Sequence, residues 1–97
     1  MKKITLNKII KEQTKYPEFN EHYQKELLIN EISKMVIQLR NAAHLTQAQL
    51  AEKAGTTQPV IARLESGSDS RIPSLTLLAR IAAASRTRIH IVFDKPK

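Results

Sequence analysis

Residues 46–67 read TQAQLAEKAGTTQPVIARLESG, and the fold is decided by how this stretch is punctuated. Thr46 precedes a periodic run, and its hydroxyl suits the N-cap of a helix that starts at Gln47. Leu50, Ala51 and Ala54 are the inward positions of that short helix. Gly55 ends it, being free to take a left-handed conformation. Thr56 and Thr57 restart the chain. Pro59 falls in the first turn of the next helix, where its missing N–H costs nothing. Val60, Ile61 and Leu64 form the buried side of this second helix.

Two short helices joined by a tight turn are the ingredients of a helix-turn-helix. The helices must approach closely, and Ala51 is small where they touch. Ile61 and Leu64 anchor the second helix, which leaves Thr57, Gln58, Pro59, Ala62 and Arg63 to face outward. That geometry lays the second helix in the major groove of DNA with its N-terminal residues at base edges.

Working outward, the chain upstream carries apolar residues at Leu27, Leu28, Ile32, Met35, Val36 and Leu39, all expected to face inward. Spacings of 3, 4 and 7 predict one long amphipathic helix, or two joined end to end, from about Glu18 to Ala43. Asn41 to Leu45 is the turn that follows. Thr5 to Lys15 reads as a short helix with Leu6, Ile9 and Ile10 on one side, although Ile4 and Leu6 also alternate as in a strand. Downstream, Ser66-Gly67-Ser68-Asp69-Ser70 is a loop by composition. Pro73 and Ser74 open a further helix with Leu75, Leu78, Ile81 and Ala82 inward, stopping near Ser85. From Thr87 to Phe93 the pattern changes to alternation. Ile89, Ile91 and Phe93 face one way, Arg88 and His90 the other, which predicts a strand.

The 97-residue chain has room for one core. Its boundaries are read as a basic N-terminal segment 1–17, a helical unit 18–86 with the motif at 46–65, and a C-terminal strand and tail 87–97. The formal net charge is +7, which favours an anionic partner. Lys2, Lys3, Lys8, Lys11 and Lys15 face only Glu12 at the start, as a solvated tail or an arm for phosphates. Residues 17–30 are acidic by contrast. The chain has no cysteine, so disulfides and thiolate metal sites are excluded, which suits a reducing cytoplasm. No apolar run approaches the ~20 residues that span a bilayer, so no membrane is expected. His22, His44 and His90 lie far apart, with no metal-ligand spacing among them. Neither a Gly-rich phosphate loop nor a Ser/His/Asp arrangement is present. Neither an enzyme nor a cofactor is expected.

The order Thr-Gln, Leu-Ala, Gly, Thr-Gln, Ile, Leu-Glu, Gly across residues 46–67 resembles the phage-repressor (Cro/C1, or XRE) helix-turn-helix family, over about Ile37 to Ala84. The resemblance implies a mainly α, lambda-repressor-like bundle that binds double-stranded operator DNA as a homodimer. It carries roles over one residue at a time. Gln47 matches the glutamine that contacts a phosphate at the start of the first helix. Thr57, Gln58, Pro59 and Arg63 lie where bases are met. Gln58 suits adenine N6 and N7, and Arg63 suits guanine O6 and N7. Thr56, Ser66, Ser68 and Arg71 fall where the family touches the backbone, which positions without reading sequence. Pro59 departs from the family pattern. It replaces a residue able to reach a base, and either contacts a thymine methyl or only stiffens the helix start, which leaves base preference at that step open. Arg40 and Glu65 match a structural ion pair of the family and are not base readers.

A strand at 87–93 needs a partner for its backbone groups and for Ile89, Ile91 and Phe93. Candidates are the same strand in a second copy, the segment Lys2–Leu6, or another protein. The first would place two recognition helices on a palindromic site. The whole layout, with the PEF segment at Pro17–Phe19, is similar to the HigA-like antitoxins of toxin–antitoxin pairs. That likeness implies a small basic toxin as partner, commonly an mRNA-cleaving RNase, and repression of the operon that encodes both. The acidic stretch Glu18, Glu21, Glu26 and Glu31 is a patch of the right charge for such a toxin. A repressor acting without a toxin is the alternative.

Overall fold

The computed structural model describes residues 19–68 and 71–95. Within them the chain forms four helices: α1 (Glu21–Ala42), α2 (Gln47–Ala54), α3 (Gln58–Ser66) and α4 (Leu75–Ala84). The expected N-terminal segment 1–17, Glu18 and the Asp69-Ser70 part of the loop lie outside the described residues.

Three of the four helices start where a short polar side chain satisfies free N–H groups. Asn20 accepts from the N–H groups of His22 and Tyr23 at 2.8 and 3.4 Å. This cap sets the start of α1 three residues later than an acidic first turn at Glu18 suggests, and Glu21 takes the favourable place near the helix dipole. Thr46 and Gln49 exchange bonds as a capping box: Thr46 Oγ1 accepts from the Gln49 N–H at 3.1 Å, and Gln49 Oε1 from the Thr46 N–H at 2.9 Å. Ser74 caps α4 through the Leu77 N–H at 3.0 Å.

The stops are left-handed residues. Gly55 ends α2 with φ 69°, and the Thr56 N–H reaches back to the Ala51 carbonyl at 2.9 Å. His44 and Arg86 take the same conformation after α1 and α4, both at φ 57°. A side chain in that region is strained, and glycine is the usual occupant.

α2 packs on α3 and α4, and α1 packs on α3. The core is where these contacts converge. Leu50, Ile61 and Ile81 are fully enclosed, one from each of α2, α3 and α4, and Val36 of α1 joins them. Burial of each such side chain contributes about 1.5–3 kcal/mol. Ala51 and Ala54 are buried in α2, where their small size lets the neighbouring helices close in. Ile32, Leu45, Leu64, Leu77 and Ala84 pack around this cluster.

Three expectations for the apolar positions need correction. Leu27, Leu28 and Met35 of α1 are exposed, because among the described residues α1 meets the other helices chiefly through α3. Leu75 is also exposed, and Leu77 takes the inward place in the first turn of α4. The strand expected at 87–93 is not formed, since among the described residues there is no strand of any kind. Residues 87–95 run without regular structure, and Ile89, Ile91, Val92 and Phe93 are exposed. Alternating apolar residues favour a strand only where a second strand supplies the ladder.

Candidate nucleic-acid interface

The second helix of the motif is held at its C-terminal end and open at its start. Arg40 of α1 donates from Nε to Glu65 Oε2 at 2.7 Å and from Nη2 to Oε1 at 2.9 Å. The same guanidinium donates from Nη1 to the Leu45 carbonyl at 3.0 Å, tying the turn after α1 into the network. The side chains are only 18% and 7% exposed, so this is a largely enclosed, bidentate pair. Burial pushes the Glu65 carboxyl up, but hydrogen bonds from Arg40 and Gln47 and the Arg40 charge outweigh it, and the net shift is downward. The hydrogen bond to Glu65 raises Arg40, against a smaller opposing effect of burial. Both groups are therefore held in their charged forms.

Ser33, two turns before Arg40 on the same side of α1, adds a further clamp. Its hydroxyl donates to the Glu65 carbonyl at 2.6 Å. Gly67 follows with φ 68°, and a Cβ there would lie 3.4 Å from Ser33 Oγ. The last turn of α3 is thus fixed to α1 by one ion pair, one hydroxyl and a close backbone approach. The sequence held a signal for Ser33 that a reading of apolar periodicity passes over: a small polar residue seven positions before Arg40 shares its helix face.

From Glu65 the polar chain continues to the start of α3. Gln47 Nε2 donates to Glu65 Oε1 at 3.2 Å, and Gln58 Nε2 donates to Gln47 Oε1 at 2.9 Å. The two glutamines come from the first residues of α2 and α3. With one Nε2 hydrogen committed to Gln47, Gln58 keeps one donor and one acceptor for a ligand.

Thr57 is the N-cap of α3, yet its side chain makes no capping bond, and Thr57, Gln58 and Pro59 are all exposed. Thr56, beside them, is half-buried. Arg63 is exposed one turn after Pro59, at the mouth of a shallow cleft it shares with Ile29, Ile32, Leu64, Arg71 and Pro73. At the far end, Ser66 Oγ donates to the Arg63 carbonyl and lies 2.8 Å from Ser68 Oγ. These two hydroxyls close the end of the helix on one another. The structure therefore brings Gln47, Thr57, Gln58 and Pro59 together at the α2–α3 entrance and gathers Arg63 and Arg71 about the cleft. Ile89, Ile91 and Phe93 lie on neither group of elements.

The turn at Gly55, the α2–α3 pair and the open start of α3 are a helix-turn-helix in three dimensions, and a match to the helix-turn-helix family HTH_3 spans residues 36–88, more than half of the chain. The chain belongs to the HTH_3 helix-turn-helix family. No curated protein and no solved structure matches it significantly. Membership makes this an XRE-type domain that binds DNA sequence-specifically and regulates transcription, in a family whose members are typically not enzymes. The HTH_3 match begins in the last two turns of α1 and ends at Arg88, so the first half of α1 and most of the C-terminal segment lie outside it. Among the described residues, no helix is long and apolar enough to cross a membrane, and no group of three metal-ligating side chains is assembled.

Proposed function

We propose that the protein is a cytoplasmic, dimeric repressor serving as the antitoxin of a toxin–antitoxin pair. In this reading α3 enters the major groove with Thr57, Gln58, Pro59 and Arg63 at base edges. Gln47, Thr56, Ser66, Ser68 and Arg71 meet the phosphate backbone. Residues 18–86 form the DNA-binding unit, and residues 87–97 hold two copies together on a palindromic operator. The observation that carries the DNA part is the Gln58–Gln47 bond of 2.9 Å at the exposed start of α3. It orients an amide whose remaining donor and acceptor suit adenine N7 and N6.

The antitoxin part is supported by apolar and charged surface that DNA binding leaves unused: the outer side of α1 and the segment 87–95. A small basic toxin is the partner that the likeness to HigA-like antitoxins suggests. The competing reading, a repressor acting alone, draws on the HTH_3 match, which leaves most of those surfaces outside its span.

Two measurements test the proposal. Selection of binding sites from random duplexes, followed by sedimentation of the complex, should give an inverted repeat occupied by two copies. A site with no internal symmetry, bound by one copy, would remove the dimer. Co-purification from native cells should give a small basic protein in fixed ratio whose RNA cleavage stops when this chain is added. A purified operator complex with no such companion would leave the autonomous repressor.

A further inference from the structure

The C-terminal segment leaves α4 through a clamp rather than a free joint. Ser85 caps the helix and is buried. Its N–H and its hydroxyl both donate to the Ile81 carbonyl, at 3.0 and 2.7 Å. Arg86 then takes the left-handed conformation, and its N–H donates to the Ala83 carbonyl at 3.2 Å. Thr87 closes the turn. Its N–H donates to the Ala82 carbonyl at 2.8 Å, and its hydroxyl reaches the same oxygen at 3.2 Å. The Ser85 and Thr87 hydroxyl oxygens lie 3.2 Å apart.

The Ile81 and Ala82 carbonyls already accept from backbone N–H groups, so neither hydroxyl is needed to satisfy them. What the hydroxyls add is resistance of residues 85–87 to rotation. A residue other than glycine stays left-handed, as Arg86 does, only where its surroundings over-determine it. The clamp is also fixed relative to α3. Ile81 and Ala82 are buried, α4 packs on α2, and α2 packs on α3. Among the described residues Thr87 makes the last backbone hydrogen bond of the chain. Only Arg88 then separates it from Ile89, the first of the exposed apolar residues of the segment.

We infer that the Ser85–Thr87 clamp sets the spacing of the two operator half-sites that the protein accepts. This rests on the dimer through residues 87–97 proposed above, and it makes Ser85 and Thr87 positioning residues that act through the placement of α3. One base pair more or less between half-sites moves the second by about 3.4 Å and turns it by about 34°. A dimer rejects that change only if the joint between each DNA-binding unit and the dimer contact resists such a rotation. Several unrestrained residues in series would absorb it. The clamp leaves Arg88 alone between Thr87 and Ile89.

The test compares the wild-type chain with two full-length variants. Ser85→Ala with Thr87→Val removes both hydroxyls and leaves the backbone bonds, so the fold is kept. Thr87→Ser keeps both hydroxyls. Each protein competes for duplexes carrying the selected inverted repeat and for the same half-sites set one base pair closer or farther, and sedimentation velocity follows the dimer. Wild type should prefer the selected spacing by about tenfold or more. The double variant should remain dimeric and keep its half-site sequence, yet bind the three spacings within about twofold of one another. Thr87→Ser should behave as wild type. A dimeric double variant that keeps the full spacing preference would overturn the inference. So would a Thr87→Ser variant that loses it, a double variant that dissociates, or a wild-type dimer indifferent to spacing. A wild-type chain that is monomeric, or one that stays dimeric without residues 87–97, would instead remove the dimer reading on which the inference rests.

Discussion

Arg40 and Glu65 show how a buried charge pair behaves when one partner is lost. Arg40→Ala strands a carboxylate that is 7% exposed, and unfolding should be easier by about 3 kcal/mol or more, measured by urea denaturation. Replacing both, Arg40→Met with Glu65→Leu, should cost much less, because no charge is left without a partner. The depressed Glu65 carboxyl adds a pH dependence. Its stabilising effect is complete above the ordinary carboxylate range and is lost as pH falls through the lowered value in the folded state. The penalty of Glu65→Gln should therefore be largest near neutrality and shrink in acid. A penalty independent of pH would mean that the charge itself contributes nothing. Arg63 belongs to a different class. Exposed on the outer side of α3, Arg63→Ala should relax preference at one base position by about 1–3 kcal/mol in site-selection assays while weak general binding persists. Uniform loss across all sequences would make it a phosphate contact.

At the scale of elements, the ends of the helices are the most legible part of the sequence and their surroundings the least. Thr46, Gly55 and Ser74 act through their immediate neighbours, so local chemistry locates them. Arg86 carries no such signal, and His44 only a weak one, histidine being among the side chains enriched in the left-handed conformation. Arg86→Gly should relieve that strain and raise stability by about 0.5–1 kcal/mol in thermal unfolding, as glycine does after other helices. Met35 and Leu75 mark the opposite limit. Periodicity finds an apolar side on each helix, but only the placement of other helices decides what covers it. The residues 87–93 failed as a strand for the same reason, since alternation describes a surface and a ladder needs a second one. In the candidate interface, the exposure of Thr57, Gln58 and Arg63 followed from the helix register. The bonds joining Gln47 to Glu65 and Gln58 did not, because they run between α2 and α3 and depend on how these pack.

For the whole molecule, the DNA-binding unit and the proposed means of doubling it occupy different parts of the chain. Deleting residues 87–97 should leave the helices folded, convert a dimer into a monomer and sharply weaken operator binding, all readable by sedimentation and mobility shift. A truncated chain that remained dimeric would move the contact elsewhere. The polar chain from Arg40 through Glu65 and Gln47 ends at Gln58, on the surface. Its inner members each hold two neighbours, so altering them disturbs packing and recognition together. Gln58 holds only Gln47, and losing it merely turns the Gln47 carbonyl to water. Descendants of this protein can therefore exchange the residue at position 58, the base contact proposed above, at almost no cost in folding. The scaffold separates what must be inherited from what is free to diversify.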